Sequence, residues 1–331
     1  MELQNISVLK ADAARALRRG REPRDVVIWY GGGTVVIALV LTLLNYWLSY
    51  EISQTGGLGN MGVRTMLSTA QAIVPIAQSV LLSCLELGYL YAMLRIGRGQ
   101  YADRTDLKEG FRRLFPLVRL SLLQSALYCL LAFLTYQLAA AIYMVTPWAD
   151  SLGELVTPLV GSGSLNVDAL LSDAFLGQAM PLLVPMFVIW AIACCVVMIP
   201  VSFRLRMASF CLLDDARGGA LRAMRTSIRI MKGKCLWLFK LDLNFWWYYL
   251  ALVLAGVLAY LDVILSAAGV VLPLPADAVS LIVYGISLAA LFACYYFLRN
   301  QVQSTYVMAY ESICDRPQES GVVLGNIFDM Q

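Results

Sequence analysis

Six long apolar runs separated by short polar segments set the pattern of this chain. Residues 26–50, 66–96, 116–146, 180–203, 243–268 and 278–298 are dominated by apolar side chains. A hydrocarbon layer about 30 Å thick needs about 20 helical residues to cross it, and each run reaches that length. Backbone amides and carbonyls find no solvent partner in lipid, so an apolar run of this kind predicts a helix that bonds its own backbone. Tyr46, Trp47 and Tyr50 close the first run, and such amphipathic rings suit a membrane interface. The expected fold is an all-α polytopic transmembrane bundle. About six spans occupy residues 26–298, between an N-terminal segment at 1–25 and a tail at 299–331.

The polar segments alternate in charge. Of the 25 Lys and Arg residues, 24 fall in residues 1–25, 95–119, 204–240 and after 298, whereas the intervening segments hold Arg64 alone. Basic residues resist translocation, so short cytoplasmic loops retain them. The partition predicts an even number of spans, a plasma membrane location and both termini in the cytoplasm. Residues 1–25 lack the short apolar core and small-residue cleavage site of a secretory signal.

Three basic segments also carry helical periodicity. In the first, Ile6, Leu9, Ala13 and Leu17 recur beside Lys10, Arg15, Arg18 and Arg19. In the second, Asp106 and Glu109 have the spacing of a capping box, and Leu107, Phe111, Leu114 and Val118 form a stripe beside Lys108, Arg112 and Arg119. In the third, Leu221, Met224, Ile228 and Met231 run parallel to Arg222, Arg225, Arg229 and Lys232, one residue on. One residue turns a helix by about 100°, which sets the cations at the edge of the apolar stripe, where they can snorkel to lipid phosphates. Three basic amphipathic interfacial helices, each before an outgoing and a returning span, fit either a threefold internal repeat or three ordinary basic hairpins.

Composition narrows the chemistry. Apolar residues make up 60% of the chain and charged residues 14%, against about 25% charged in globular domains, and the excess has to face lipid. Histidine is absent, which removes the commonest general base and the usual imidazole ligands. The eight cysteines form no C-x-x-C pair and mostly lie in apolar runs, where small thiols pack. No enzyme activity, cofactor or metal is expected. Gly31-Gly32-Gly33 lacks the Lys-Ser or Lys-Thr of a phosphate loop and reads as a close-packing patch.

Few polar groups lie within the runs. Glu86 is the one carboxylate well inside a span, nine residues before Arg95, and buried charges in membranes usually face a bundle interior or a cavity. Gln78 and Gln124, with Gln71 and Gln137, read as hydrogen-bonding groups between helices. Asp242 and Asn244 next to Lys240 suggest a local ion pair. Phe245, Trp246, Trp247, Tyr248 and Tyr249 suggest an aromatic belt. Pro75, Pro181, Pro185 and Pro200 are candidate helix breakers.

Specific motifs add a resemblance. Ala223, Ser227, Met231 and Gly233, with Lys232 between the last two, and then Phe239, Leu241, Leu243 and Phe245, are similar to the pattern of an uncharacterised bacterial family, domain of unknown function 975. Gly88 and the segment from Leu107 to Phe111 also fit. Asn244 stands where the family has Ser, and Trp247-Tyr248 stand where it has Gly-Trp. The segment 147–178 looks like an insertion. The resemblance implies a six-span membrane fold and, since the family has no established activity, adds little about mechanism.

Two functional classes stay open. One is a non-catalytic accessory or scaffold that binds anionic lipid headgroups, or a membrane protein partner, through its basic helices. The other is a transporter or channel for a small solute or ion that uses Glu86. The basic segments alternate with spans instead of forming a domain, so nucleic acid is not an expected partner.

Overall fold

The computed structural model describes residues 6–19, 23–55, 61–160, 173–215, 218–267 and 276–314, and every regular element among them is helical. The chain divides into two compact units, Met1–Val118 with Met207–Gln331, and Arg119–Arg206. In the first unit, α1 spans Ile6–Arg19, α2 Pro23–Gln54 and α3 Met61–Gly97. A 3₁₀ turn at Arg104–Leu107 leads into the short α4, Lys108–Arg112, and α5 begins at Leu114 and ends at Tyr143.

In the second unit, α6 (Pro147–Val160) and α7 (Asp173–Leu205) follow the body of α5. The Tyr143 hydroxyl donates to the carbonyls of Leu182 at 2.9 Å and Trp148 at 3.2 Å, tying the end of α5 to both. Tyr136 meets Trp190 edge-on, with centroids 6.4 Å apart. Pro181, Pro185 and Pro200 lie inside α7, and Pro75 inside α3, without ending either helix.

The first unit then resumes with α8 (Ala208–Asp214), α9 (Gly219–Ile230), α10 (Cys235–Leu243), α11 (Trp246–Leu258), α12 (Leu261–Ala267) and α13 (Ala276–Cys294). A π-helical turn at Tyr295–Arg299 continues without interruption into α14, Asn300–Ile313. The helix thus runs on where the sequence suggested a tail from 299, because Val302, Tyr306, Val307, Met308, Ala309, Tyr310 and Ile313 are all buried.

Among the described residues five helices are long and apolar enough to cross a membrane, or six if α10 and α11 count as one span. That sixth candidate is not straight. α10 and α11 meet at 65°, so the expected span over 243–268 starts at a corner. No proline causes it: the Asn244 N–H bonds back to Lys240 and Leu241, and the Phe245 N–H to Asp242, which closes α10.

Close backbone approaches fix the packing around α3. A Cβ on Gly88 would lie 2.2 Å from the Leu107 carbonyl oxygen, and one on Gly110 would lie 1.8 Å from that of Cys84. The two segments that carried the resemblance around residues 88 and 107–111 therefore meet backbone to backbone. Gly99, at φ 74°, ends α3 in the left-handed conformation that glycine adopts without cost. Its N–H reaches the Ile96 carbonyl at 3.0 Å and that of Gln100 reaches Arg95 at 2.9 Å, a Schellman ending.

Candidate functional site

The feature with the most concentrated chemistry forms where α2, α3 and the π-helical turn meet. Small residues let the helices approach: a Cβ on Gly31 would stand 3.0 Å from the Phe292 ring, and one on Gly33 would stand 3.1 Å from Leu85. The glycine patch thus packs closely on both sides, as its sequence suggested. Its neighbour Tyr30 stacks on Tyr89 with centroids 4.5 Å apart. Into this corner comes Arg299, only 8% exposed.

The Arg299 Nη2 donates to Glu86 Oε1 at 2.8 Å. Its guanidinium carbon lies 4.6 Å from the Tyr295 ring, 4.7 Å from Tyr30 and 5.4 Å from Tyr89. Tyr89 in turn donates to Asn300 Oδ1 at 2.9 Å, fixing the next residue along. Arginine stays protonated in proteins, so a buried guanidinium needs a counter-charge, and ring faces add cation–π attraction. The Arg299 Nε is buried without a hydrogen-bond partner, and the Glu86 side chain remains 53% exposed. One residue of the pair is enclosed and the other faces outward.

Chain length frames the position of this pair. Residues 65–85 and 278–298 contain no charged side chain. Each stretch is about 21 residues, or roughly 32 Å of helix, which matches the hydrocarbon thickness. One ends at Glu86 and the other at Arg299, so the ion pair joins the ends of two uncharged stretches of that length. Glu86 lies within the candidate span Met61–Gly97. Around and beyond it Cys84, Leu87, Tyr89, Met93 and Leu94 are buried in protein.

A second polar network ties the helices beyond that pair. Arg98 reaches Asp214 at 2.6 Å and Glu311 at 2.7 Å. Burial opposes the charge of Arg98, but the bonds to Asp214 and Glu311 outweigh it and raise its pKa. The Tyr310 hydroxyl donates to Asp214 at 2.5 Å, and its ring stacks on Phe210 at 5.1 Å. Arg95 pairs with Asp106 at 2.6 Å, and Arg113 donates to the carbonyls of Leu212 and Leu213 at 3.2 and 2.8 Å. Together these bonds hold α8 against α3, α4 and α14.

From that base α9 extends. Ala220, Ala223 and Ser227 are its buried side, followed by buried Met231. Leu221, Arg222, Arg225, Ile228, Arg229 and Lys232 are exposed. The apolar stripe inferred from sequence is therefore split: Met231 packs inward, while Leu221 and Ile228 share the open side with the cations. Arg222 contacts Asp215 at 3.3 Å, both well exposed. Gly233, at φ 79°, makes the left-handed turn that starts the path into α10.

The other sequence-derived candidates disperse. Gln78 lies two turns before Glu86 on α3, about 12 Å away, and Gln124 belongs to the Arg119–Arg206 unit. Gln71 does bridge helices, donating to the Ser49 hydroxyl at 2.7 Å. The Asp242 carboxylate accepts from Tyr306, and Asn244 accepts from Lys10 at 2.7 Å, so both reach far along the chain. The aromatic run divides as well: Phe245 and Tyr248 are buried and Trp246 faces outward. Phe239 is exposed on α10. Sequence reasoning missed Arg299, Tyr30, Tyr89, Tyr295, Arg98, Asp214 and Glu311. A trace was present, since an arginine closing an apolar run four residues after a tyrosine places both on one helix face.

These elements define a polytopic helical membrane protein with a buried polar seam. The chain belongs to the family described as Protein of unknown function (DUF975), whose profile matches residues 31–316 and so takes in Glu86, α9 and Arg299 but not α1. No curated protein and no solved structure matches it.

Proposed function

We propose that this is a non-catalytic scaffold or accessory component of the plasma membrane, with both termini cytoplasmic, that gathers anionic lipid headgroups on α9. The observation carrying this reading is the open side of α9, where Arg222, Arg225, Arg229 and Lys232 are exposed beside Leu221 and Ile228. Each cation near an anionic leaflet contributes about 1 kcal/mol, and two apolar side chains on the same side give the helix purchase at the interface. The absence of histidine from the sequence supports a non-catalytic role, and the charge partition supports the orientation.

The test uses the full chain in nanodiscs of mixed neutral and phosphatidylglycerol lipid. Replacing Arg222, Arg225, Arg229 and Lys232 by Gln should abolish enrichment of the anionic lipid around the protein and its loss in high salt. Unchanged enrichment would remove α9 from the reading. For orientation, single cysteines at Gly56 and Ser164 should label from outside intact cells, and Arg222→Cys should not.

One observation favours transport instead: the corner between α10 and α11, since discontinuous helices often build transport sites. Two features weigh against it. Lys10 fills that corner, its Nζ 4.5 Å above the Phe245 ring, and Glu86 is already engaged by Arg299. Proton flux into dye-loaded vesicles that Glu86→Gln abolishes would decide for transport.

A further inference from the structure

Among the described residues Lys10 has no carboxylate partner. Its Nζ donates to Asn244 Oδ1 at 2.7 Å and stands 4.5 Å from the centroid of the Phe245 ring. An amide oxygen and a ring face both attract an ammonium without neutralising it. Asn244 also caps the C-terminal end of α10, the negative pole of that helix. Burial lowers the Lys10 pKa. The corner where α10 and α11 meet at 65° therefore holds a cation that no opposite charge anchors.

The walls of this corner stand without α1. The Phe245 ring has Trp247 at 6.1 Å and Tyr306 at 6.4 Å, between centroids. Tyr306 donates to the Asp242 carboxylate, so the 2.7 Å bond between the Tyr249 and Tyr306 hydroxyls has Tyr249 as donor. These contacts join α10, α11 and α14, and none involves Lys10. With the ammonium withdrawn, the amide oxygen and the ring face keep their places.

α1 brings the ammonium from outside that frame. Leu9 and Ala13 are fully buried, and α1 packs chiefly on α14, so docking its apolar side delivers the neighbouring Lys10 to the corner. The family profile starts at residue 31 and takes in the corner but not α1. The walls thus belong to the part of the chain that the family defines, and the occupant does not.

We propose that the α10–α11 corner is a recognition site for a primary ammonium group and that Lys10 is its tethered occupant. A ligand carrying a protonated primary amine displaces Lys10, and α1 undocks as it binds. The site asks for an N–H toward Asn244 and a positive charge toward Phe245. A quaternary ammonium meets only the second demand, and an alcohol only the first. Soluble alkylamines and aminophospholipid headgroups both carry the required group. The inference goes beyond lipid binding at α9 and does not depend on it.

Hydrogen exchange of α1 in the full parent chain, held in phosphatidylcholine nanodiscs, reports undocking. n-Butylammonium should speed exchange in residues 6–19, and tetraethylammonium or n-butanol at equal concentration should not. Lys10→Met keeps an apolar stem and removes the charge. That variant should bind n-butylammonium at least about tenfold more tightly than the parent, because the tether no longer competes at its high effective concentration, and its melting temperature should rise with the amine. Adding Asn244→Ala should remove that rise. Nanodiscs of phosphatidylethanolamine without added amine separate the sources: faster α1 exchange there assigns the ligand to the headgroup, and unchanged exchange assigns it to a soluble amine. Equal n-butylammonium affinity in parent and Lys10→Met, binding to neither, or an equal response to tetraethylammonium would overturn the proposal and leave Lys10 a structural tie. If Lys10→Met does not fold, the exchange experiment on the parent decides alone, and no acceleration by n-butylammonium overturns it.

Discussion

The two halves of α3 are built from the same leucines, serines and alanines, yet they have different surroundings. Up to Ser83, Val74 is its one buried residue, and Met66, Ile73 and Ile76 are all exposed. From Cys84 to Ile96 burial becomes the rule, and Glu86 is the exposed exception. In the first half exposure means lipid, to which leucine is indifferent, so packing demands little there. In the second half helices enclose one another, and protein-like close packing applies. A continuous apolar helix thus serves as a membrane span for part of its length and as the core of a helical cluster for the rest.

That contrast can be broken most forcefully at the backbone contacts. Gly110→Val puts a side chain where the Cys84 carbonyl stands. Overpacking of this kind costs about 3 kcal/mol or more, and the variant should give no monodisperse peak in fluorescence-detected gel filtration. Next in size is the ion pair. Glu86→Gln leaves Arg299 enclosed without its counter-charge, and because Glu86 is half exposed the loss should be about 1–3 kcal/mol, short of a fully buried pair. In a thermal melt, adding Arg299→Gln should recover part of that loss, and strict additivity would mean the two residues are not coupled.

A smaller effect is expected at Tyr310→Phe, which removes a donor to Asp214. About 1 kcal/mol is the usual value of one hydrogen bond, and faster hydrogen exchange in α8 would locate it. The capping box expected of Asp106 and Glu109 is formed instead by Asp103 and Asp106, which cap the 3₁₀ turn at Arg104–Leu107, and Asp103 sharpens the comparison through pH. Its carboxyl is held below the usual 3.8, chiefly by the Arg104 N–H. A carboxyl depressed in the folded state stabilises above its unfolded pKa, and that contribution fades as pH falls through the folded value. The melting deficit of Asp103→Ala at neutral pH should therefore vanish in acid. Least affected should be Ile76→Ala in the lipid-facing half, within about 0.5 kcal/mol of the parent in the same melts.

The spans were legible because lipid imposes one rule everywhere: an apolar stretch of fixed minimum length. Their ends were not, because α3 runs on past Glu86 and α14 continues the helix past Arg299, so no break in the helix marks where the uncharged stretches stop. Breakers misled in both directions. Prolines in α3 and α7 end nothing, whereas the sharpest corner falls at Asn244–Phe245, where Lys10, distant in sequence, caps the exposed amide. The glycines at 31, 88, 110 and 233 carried more information than the charges did, since each marks a close approach or a left-handed turn that local sequence can announce. Arg299 escaped notice because it looked like the first residue of a tail. What distinguishes it is an enclosure by Tyr30 and Tyr89, drawn from two distant segments, together with Tyr295 one turn before it.

The docking of α1 has a consequence for how the chain is made. Leu9 and Ala13 are fully buried, and α1 packs chiefly on α14, the latest of the described helices. About 290 residues separate them, which at a synthesis rate of about 5–20 residues per second takes roughly 15–60 s. Throughout that interval the emerging α1 lacks its main partner and has only the lesser contact with α3. The Arg119–Arg206 unit is contiguous in sequence and can assemble in the meantime. Completion of the Met1–Val118 and Met207–Gln331 unit awaits α14, so a chain interrupted before Ile313 would hold its spans in place with α1 still undocked.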